Sequence, residues 1–290
     1  MRLRTLPVSL SGVVMATALA KATGHFSWWP ALLCLMFALL AQITSNFANE
    51  YYDYKRGADK VGRVGPRRGV TEGDIRPVTL LWVTFATLAA ACVVGCLLIP
   101  IGGWWLLPMG IVIALAALAY STGPYPLSYH GLGELAVFLF FGIVPVTLTY
   151  YVQALHMHPI VILASMTIGL LGVNVLLVNN YRDVDDDREA GKRTSVVIFG
   201  RRPAAVAYLI NGYVAVALLT PLWMLSVFGK WSAFMLLLAP ALYLMMHTLT
   251  WRALISRDGA ALNPLLGATA RNMLIFTLLL SAALIAQRLM

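Results

Sequence analysis

The sequence predicts an all-α, polytopic membrane protein. Hydrophobic residues make up 60% of the 290 positions and charged residues only 11%, whereas a soluble domain carries about 25% charged residues. The charges are also confined to short stretches, so that tracts such as 22–49 and 135–181 contain no Asp, Glu, Lys or Arg. Because a helix crosses a bilayer with roughly 20 apolar residues, these tracts predict spans in a lipid bilayer. Soluble enzyme folds and disordered chains are excluded.

About nine transmembrane helices follow from the positions of these tracts, and together they form one domain over 1–290. Glycine and proline residues mark the breaks between the helices, for example at Gly24, Pro159 and Gly229. The first helix is expected to stay uncleaved, because more membrane segments rather than a secreted domain follow it. The predicted spans lie near 6–24, 28–48, 78–99, 103–122, 133–154, 159–180, 203–222, 230–250 and 271–289.

The charges also predict which helix ends face the cytoplasm. With nine spans, the N-terminus and the even-numbered loops share one side, which carries 18 of the 21 Lys and Arg residues. Cytoplasmic segments are the ones enriched in Lys and Arg, so this side is predicted to be cytoplasmic. All 12 acidic residues lie there as well. The net charge of +9 is therefore a topology signal, and no nucleic-acid partner is expected because there is no basic soluble domain.

Two acidic stretches follow the second and the sixth predicted helix. The first reads NFANEYYDYKRGADK at 46–60 and the second reads NNYRDVDDDREAGKRT at 179–194. Their equivalent positions predict a loose duplication, with four-helix repeats at about 1–130 and 131–250 and a ninth helix after them. We therefore expect the two stretches to face each other at one end of the bundle.

The spacing within each stretch aligns oxygen-bearing side chains. Asn49 and Asp53 are four residues apart, and Asn179, Asp183 and Asp187 follow at the same interval. Because positions i, i+4 and i+8 share one face of a helix, each helix end is predicted to present a row of oxygen ligands. The alternative is that the acids are solvated loop charges balanced by neighbouring Arg and Lys. The interpretation as solvated loop charges is favoured for the acids that do not share the face of Asp183 and Asp187, namely Asp185, Asp186 and Glu189.

The two rows predict a magnesium–diphosphate site. Carboxylates at this density repel each other unless a cation lies among them, and oxygen ligands without His or Cys select Mg²⁺ or Ca²⁺. Mg²⁺ is held by one or two carboxylates together with substrate phosphates, so two facing rows imply two ions bridging a diphosphate. Asp59 lies six residues after Asp53 and joins its row only if the helix has ended by Gly57. Basic residues available for the remaining phosphate charge are Lys60, Arg63, Arg67, Lys192 and Arg193.

The two acidic motifs, NxxxDxxxxxD and NNxRDxxxDxxxGKxT, resemble those of the UbiA superfamily of intramembrane prenyltransferases. The chain is most similar to the branch that prenylates 1,4-dihydroxy-2-naphthoate in menaquinone synthesis, and the similarity covers essentially its whole length. Three further stretches carry that closer resemblance: RxxTLP at Arg2–Pro7, GADKxGRxGPRRG at 57–69 and YSTGPYPLSYHGLGELAVFLFFG at 120–142.

The resemblance implies a UbiA-type helical bundle and assigns roles to the residues that match the motifs. Asp59 corresponds to the second aspartate of the first motif, in the wider spacing of the naphthoate branch. Many members of the superfamily have that aspartate four residues after the first. Here that position is Gly57, which argues against the hydroxybenzoate branch. The resemblance implies five ligands for Mg²⁺ and the diphosphate: Asn49, Asp53, Asp59, Asp183 and Asp187. The four aspartates among them are also the implied catalytic residues.

Further residues are expected around the diphosphate and the reacting carbon. Asn179 is expected beside the diphosphate, together with the basic residues named above. Relatives often have a basic residue in the loop after the fourth span, where this chain has Ser128. Aromatic rings can shield a carbocation through cation–π contact. The candidates for such a carbocation or acceptor pocket are Tyr120, Tyr181, Phe138 and Phe141.

The implied reaction transfers a polyprenyl group from polyprenyl diphosphate to 1,4-dihydroxy-2-naphthoate, with loss of CO₂ and diphosphate, and gives demethylmenaquinone. The implied cofactor is Mg²⁺, and the implied location is the bacterial cytoplasmic (inner) membrane with the active site at the cytoplasmic face. One alternative is another acceptor, such as 4-hydroxybenzoate, homogentisate or haem. A cation transporter is the alternative from a different class, and the lack of charges within the span interiors disfavours it.

Overall fold

The computed structural model describes residues 6–227 and 232–287, and within these ranges every regular element is helical. The predicted features at Arg2, Arg4, Lys230 and Arg288 lie outside the described residues, as does most of the Arg2–Pro7 motif. The helices are α1 Leu6–Ala22, α2 Trp28–Lys55, α3 Pro77–Cys96, α4 Ile99–Gly102, α5 Leu106–Ala119, α6 Gly133–Val137, α7 Val144–Ala154, α8 Pro159–Arg182, α9 Val184–Glu189, α10 Ser195–Phe199, α11 Arg201–Ala217, α12 Thr220–Val227, α13 Ser232–Ser256 and α14 Asn263–Gln287.

The all-α class is as predicted, but the number of spans is not confirmed. Among the described residues, five helical segments are long and apolar enough to cross a membrane. Two more apolar helices, α1 and α5, are too short by the same measure. The chain that was predicted to span at 203–222 is divided into α11 and α12, which shortens each piece. The five long segments are Trp28–Lys55, Pro77–Gly102, Gly133–Ala154, Pro159–Arg182 and Gly259–Ala286.

Helix α8 lies at the centre of the bundle and α3 and α5 lie at its edge. Of the 24 residues of α8, 17 are buried, whereas four of 20 are buried in α3 and one of 14 in α5. The main core gathers large side chains from α7, α8, α11 and α14, including Tyr150, Ile168, Tyr208 and Phe276. Apolar side chains on α3 and α5 are exposed, so this edge of the bundle is suited to contact with lipid.

A π-helical segment, Phe138–Ile143, joins α6 to α7. Pro145 follows it in α7 and has no N–H to donate to the carbonyl of Phe141 four residues earlier, a loss that fits the local change in helix geometry. The segment packs closely against α8, since a Cβ on Gly142 would clash with the backbone of Gly169. The close approach holds the side chain of Phe141 beside the cavities described below.

Candidate active site

The last turns of α2 carry the first row of predicted ligands. Asn49 and Asp53 are both buried, and the exposed fraction of Asp53 is 1%. The Asn49 amide donates to Ser121 Oγ at 3.0 Å. Asp53 accepts hydrogen bonds from the Tyr129 hydroxyl at 2.9 Å and from Lys192 Nζ at 3.0 Å. The loops that follow α5 and α9 therefore close over the end of α2.

Asp59 comes after the end of the helix, as it must if it is to approach this row. Helix α2 stops at Lys55, and Gly57 has a φ of 70°, a left-handed conformation that favours glycine. The chain then turns back, so that the amide of Ala58 donates to the carbonyl of Asp53 at 2.9 Å. Asp59 is buried and accepts a hydrogen bond from Arg63 Nη1 at 2.8 Å. The condition that the sequence set for Asp59 is therefore met.

The second row runs from α8 into α9. Asp183 breaks the helix, with φ −90° and ψ 10°, yet its amide donates to the Asn179 carbonyl at 3.0 Å. The amide of Asp187 in turn donates to the Asp183 carbonyl at 2.7 Å. The four-residue interval is thus kept across the break, and Asp183 and Asp187 are both buried. Asp185 and Glu189, which were predicted to lie off this face, are exposed.

Two basic side chains connect the rows. Arg63 donates to Asp59 Oδ1 at 2.8 Å and to Asp183 Oδ2 at 2.9 Å. Lys192 Nζ lies 3.0 Å from Asp53 Oδ2 and 3.7 Å from Asp187 Oδ1. The two acidic stretches, distant in sequence, therefore form one site, with Arg63 and Lys192 between them.

Two buried arginines were not among the predicted site residues. The guanidinium of Arg68 lies 3.1 Å from Asp59 Oδ2 and donates to Asn49 Oδ1 at 3.2 Å. Arg182 donates to both carboxylate oxygens of Asp183 at 2.7 Å, and to Asn179 Oδ1 at 3.0 Å. Arg68 belongs to the basic stretch at 57–69 and Arg182 to the acidic stretch at 179–194. Position within these stretches does not reveal which arginine side chains are buried against the acids.

Tyr129 is a further site residue that the sequence did not single out. Its ring packs against two cations, the Arg56 guanidinium and Lys192 Nζ, each 5.0 Å from the ring centre. Burial, and after it the negative charge of Asp53, raises the pKa of the Tyr129 hydroxyl above its usual range. Tyr129 therefore stays protonated and donates to Asp53. An aromatic residue in a loop carries no sequence signal for this role.

Asp187 is held in an environment that disfavours its charged form. Burial raises the pKa of Asp187 from 3.8 to about 6, and the nearby Lys192 ammonium only partly offsets this effect. The negative charges of Asp183 and Asp53 act in the same direction as burial. A cation bound beside Asp187 would favour its ionised form.

Two of the basic residues predicted for the diphosphate lie at the surface instead. Lys60 donates to Glu189 Oε2 at 2.8 Å, and both side chains are about two-thirds exposed, at 64% and 67%. Arg67 is similarly exposed and pairs with Asp74 at 2.9 Å. Lys60 is paired with an exposed acid at the end of α9 and Arg67 with an exposed acid of its own loop, so neither side chain turns towards the buried carboxylates.

Arg193 and Tyr181 also lie away from the two rows. The Arg193 residue is exposed, and its backbone amide donates to the Tyr129 carbonyl at 2.9 Å. Tyr181 is buried against the Arg201 guanidinium, 5.4 Å from its ring centre. Because consecutive residues of α8 point to different faces, Tyr181 turns away from the side that carries Asn179 and Asp183.

The acids open onto a polar cavity of about 130 Å³. Asp59 lies behind Arg63 and Arg68 rather than on the wall of this cavity. Ser128, from the loop after α5, is on the wall, and its hydroxyl is buried without a hydrogen-bond partner among the described residues. The Asp, Glu, Lys and Arg side chains that line the cavity are Asp53, Arg63, Arg68, Glu134, Asp183, Asp187 and Lys192.

A larger apolar cavity, of about 360 Å³, adjoins the polar one. Their walls share four residues, Gln42, Ser45, Tyr120 and Phe141. Exposed side chains of α5 also line the apolar cavity, among them Ile111 and Leu115. The apolar cavity therefore runs from the acidic site to the lipid-facing edge of the bundle.

The donor set fits a hard divalent cation. Its ligating atoms are carboxylate and amide oxygens, which Mg²⁺ prefers over thiolate or imidazole ligands. Within the described ranges, no three His, Cys, Asp or Glu side chains are close enough together to form a metal site unaided. The acids are instead paired with Arg63, Arg68, Arg182 and Lys192, which shows how much positive charge this group of carboxylates requires.

Fold and site together define a membrane-embedded helical protein with room for a ligand that has a polyanionic head and a long apolar tail. The profile of the UbiA prenyltransferase family matches residues 9–266. The chain belongs to this family, as the motif resemblance predicted, and it is an integral membrane protein.

Its relatives and structural neighbours agree with that assignment. The chain is 35% identical to 1,4-dihydroxy-2-naphthoate octaprenyltransferase of Escherichia coli (strain K12), over 96% of this chain and 91% of the relative. It is 36% identical to the Mycobacterium tuberculosis protein of the same name, over 98% and 94%. The apo structure of a UbiA homolog from Aeropyrum pernix K1 superposes with a TM-score of 0.72 over the full length of both chains, at 17% identity.

A second solved structure has the same fold. It is a UbiA homolog from Archaeoglobus fulgidus bound to DMAPP and Mg²⁺, with a TM-score of 0.62 and 16% identity, and the match covers 98% of this chain and 99% of that one. At this identity the likeness establishes the fold. The predicted UbiA-type bundle is therefore confirmed.

Proposed function

We propose that this chain transfers a polyprenyl group from polyprenyl diphosphate to 1,4-dihydroxy-2-naphthoate, releasing CO₂ and diphosphate. The immediate product is the prenylated hydroquinone, which is the two-electron reduced form of demethylmenaquinone. The observation that carries the proposal is the shared wall between the acidic cavity and the apolar cavity. An anionic diphosphate and a hydrocarbon tail need these two environments side by side. Relatives at 35% and 36% identity, aligned over nearly their whole length, are named for this naphthoate reaction.

The diphosphate would lie between the two acidic rows and the prenyl tail in the apolar cavity. Arg63, Arg68 and Lys192 line the polar cavity and are the basic groups available to phosphate oxygens. Tyr120 and Phe141 lie on the wall that both cavities share. The allylic carbon joins head and tail, so these two rings are suited to stabilise a developing carbocation.

The residues proposed to hold Mg²⁺ are Asn49, Asp53, Asp59, Asp183 and Asp187, with Asn179 beside the diphosphate. Bound Mg²⁺ would supply positive charge that stabilises the leaving diphosphate. Arg63, Arg68 and Lys192 neutralise the same negative charge, and a preorganised group of this kind lowers the barrier to breaking the allylic C–O bond. The ring carbon that bears the carboxylate then attacks the allylic carbon, and CO₂ leaves from the same position.

The membrane arrangement is proposed to have nine spans, with the N-terminus and the active site at the cytoplasmic face of a bacterial inner membrane. The distribution of Lys and Arg, 18 on one side and three on the other, supports this orientation. A loose duplication of four-helix repeats, at about 1–130 and 131–250, is proposed as well. Its support is that Asp53 lies at the end of α2 and Asp183 directly after α8.

The test is a product assay with purified protein in detergent, Mg²⁺, a polyprenyl diphosphate and carboxyl-labelled 1,4-dihydroxy-2-naphthoate. Mass spectrometry should find prenylated product without the label, and one CO₂ released per turnover. We expect 4-hydroxybenzoate to be used at least tenfold less efficiently, about 1.4 kcal/mol in transition-state terms. Efficient use of 4-hydroxybenzoate would instead favour the sister branch. A transporter would form no product in detergent, where no sealed membrane exists.

A further inference from the structure

Glu134 is a carboxylate of the polar cavity that belongs to neither acidic row. It lies in the first turn of α6, and its side chain lines the cavity together with Asp183 and Lys192. Its Oε1 atom accepts hydrogen bonds from the Asn180 amide at 3.0 Å and from the Ser195 hydroxyl. These two donors hold the carboxylate in one orientation from two different elements, α8 and α10.

The position of Glu134 relative to the acidic rows follows from its partners. Asn180 comes three residues before Asp183 along α8, which corresponds to about 4.5 Å of helix rise. Ser195 comes three residues after Lys192. Glu134 therefore borders the proposed diphosphate site at a level of α8 about one helical turn before Asp183, towards the middle of that helix.

Glu134 differs from the other acids of the cavity in its electrostatic partners. Asp53, Asp183 and Asp187 are each paired with a Lys or Arg side chain. Among the ion pairs of the described residues, none includes Glu134. Both of its hydrogen-bond donors contact Oε1, and no donor from the described part of the chain contacts Oε2.

Glu134 Oε2 can therefore accept a hydrogen bond from a ligand, and we ask which substrate could donate it. A diphosphate is an anion, which a carboxylate repels, and a prenyl tail has no donor to offer. Of the substrates in the proposed function, only the aromatic acceptor carries hydroxyl groups. Glu134 is half-buried on the wall of the polar cavity, so Oε2 is open to a ligand there, and a ring hydroxyl is the donor that it fits.

We propose that Glu134 binds the acceptor hydroxyl adjacent to the carboxyl-bearing carbon and takes its proton as that carbon attacks. This inference rests on the proposed function. When the new C–C bond forms, the allylic C–O bond breaks and its electron pair leaves with diphosphate. The hydroxyl proton passes to Glu134 Oε2, and the ring C–OH becomes C=O.

Loss of CO₂ then completes the cycle. The electron pair of the broken carbon–carboxyl bond restores the aromatic ring and turns the C=O into an oxyanion, which recovers the proton from Glu134. The acceptor's own carboxylate is a poor substitute for Glu134, because a proton on it would oppose the loss of CO₂. Glu134 ends the cycle ionised, as it began.

The test compares Glu134→Gln and Glu134→Asp with Glu189→Gln, which removes an exposed acid outside the cavity. In Glu134→Gln, the amide oxygen is expected to take the place of Oε1, where two donors converge, and the amide NH₂ then replaces Oε2. This variant cannot accept the proton. We expect kcat to fall about 10²-fold or more, while KM for polyprenyl diphosphate changes less than threefold. Glu134→Asp should recover part of the lost kcat, and Glu189→Gln should match the wild type.

Acceptor analogues separate this role from a structural one. The wild-type protein should bind 1-hydroxy-2-naphthoate about tenfold more tightly than 1-methoxy-2-naphthoate, which has no proton to donate. In Glu134→Gln this preference should disappear. Equal kcat in wild type and Glu134→Gln, or an unchanged preference between the analogues, would overturn the inference. So would a parallel fall in melting temperature and in affinity for polyprenyl diphosphate in both Glu134 variants. A wild-type protein inactive with the naphthoate would instead contradict the proposed function.

Discussion

At the residue scale, the site depends on carboxylates that are almost completely removed from water. Asp53 and Asp183 have exposed fractions of 1% and 2%, and each accepts hydrogen bonds from basic side chains. A buried charge is tolerated only when it is paired and hydrogen-bonded. The neighbouring Asp186 is half-buried, off the cavity wall, and accepts one bond from the Val64 amide at 3.4 Å.

Replacing the buried acids should therefore affect turnover far more than replacing Asp186. Asp53→Asn and Asp183→Asn are each expected to reduce kcat about 10²-fold or more, as the loss of one preorganised charge-stabilising group does. Asp186→Asn should cost far less. Steady-state kinetics on the three purified variants measures this directly. Equal tolerance at all three positions would return both acidic stretches to the interpretation as solvated loop charges.

Asp187 allows a prediction about pH. Its pKa is about 6 in the folded protein and 3.8 as an ordinary value, so the folded state binds the proton more tightly than the unfolded state. The contribution to stability is fully present below pH 3.8 and is lost as the pH rises through about 6. At pH 7, ionised Asp187 thus lowers the stability of the ligand-free protein, by at most about 3 kcal/mol.

The variant Asp187→Asn stays neutral at every pH and should melt at a higher temperature than the wild type. The difference in melting temperature is expected to be larger at pH 7 than at pH 4.5, and activity should fall in the same variant. Thermal unfolding in detergent without divalent cations provides the measurement. A difference that is constant between these pH values would mean that Asp187 does not titrate in this range.

At the scale of elements, the loop between α2 and α3 contributes as much to the site as the helices do. Two adjacent arginines in this loop have opposite environments. The Arg68 side chain is 4% exposed and contacts Asn49 and Asp59, whereas the Arg67 side chain is 66% exposed and contacts Asp74. The loop is thereby anchored against the buried end of α2 by one arginine and not by the other.

Arg68→Ala should destabilise the protein strongly, because it leaves buried carboxylates without their cation. Breaking a buried ion pair in this way costs about 3–5 kcal/mol. Arg67→Ala removes an exposed pair worth about 0–1 kcal/mol and is the matched control. The melting temperature in detergent distinguishes the two variants. Similar melting temperatures would show that the loop does not depend on the pairing of Arg68.

At the scale of the whole molecule, the orientation in the membrane decides which compartment supplies the acceptor. Single cysteines at exposed positions test it, in a background where Cys34, Cys92 and Cys96 are replaced. Val61 lies in the loop after α2 and Met157 in the connection between α7 and α8; their exposed fractions are 71% and 41%. A membrane-impermeant thiol reagent should label Val61→Cys only from the cytoplasm and Met157→Cys only from the opposite side. The reverse pattern would overturn the proposed active face.

Much of the architecture could be predicted from local patterns in the sequence. Uncharged apolar tracts predicted an all-α membrane protein, because a helix satisfies its own backbone hydrogen bonds in lipid. The four-residue spacing of Asn49 and Asp53, and of Asn179, Asp183 and Asp187, predicted two ligand faces. Such features depend only on residue type and helix geometry. The predicted number of spans is not confirmed by the described residues, and the division of the 203–222 tract into α11 and α12 could not be read from composition.

The chain alone thus determined the membrane class, the two acidic rows and the family, since each of these is encoded in composition or in spacing along one helix. Only the tertiary structure decided which side chains complete the site. Arg68 turns towards the buried acids, whereas Arg67 stays at the surface. Likewise, Lys192 connects the two acidic rows, whereas Lys60 pairs with Glu189. A basic side chain pairs with the acid that lies nearest to it in the folded protein. Which acid is nearest depends on packing between segments that are remote in sequence.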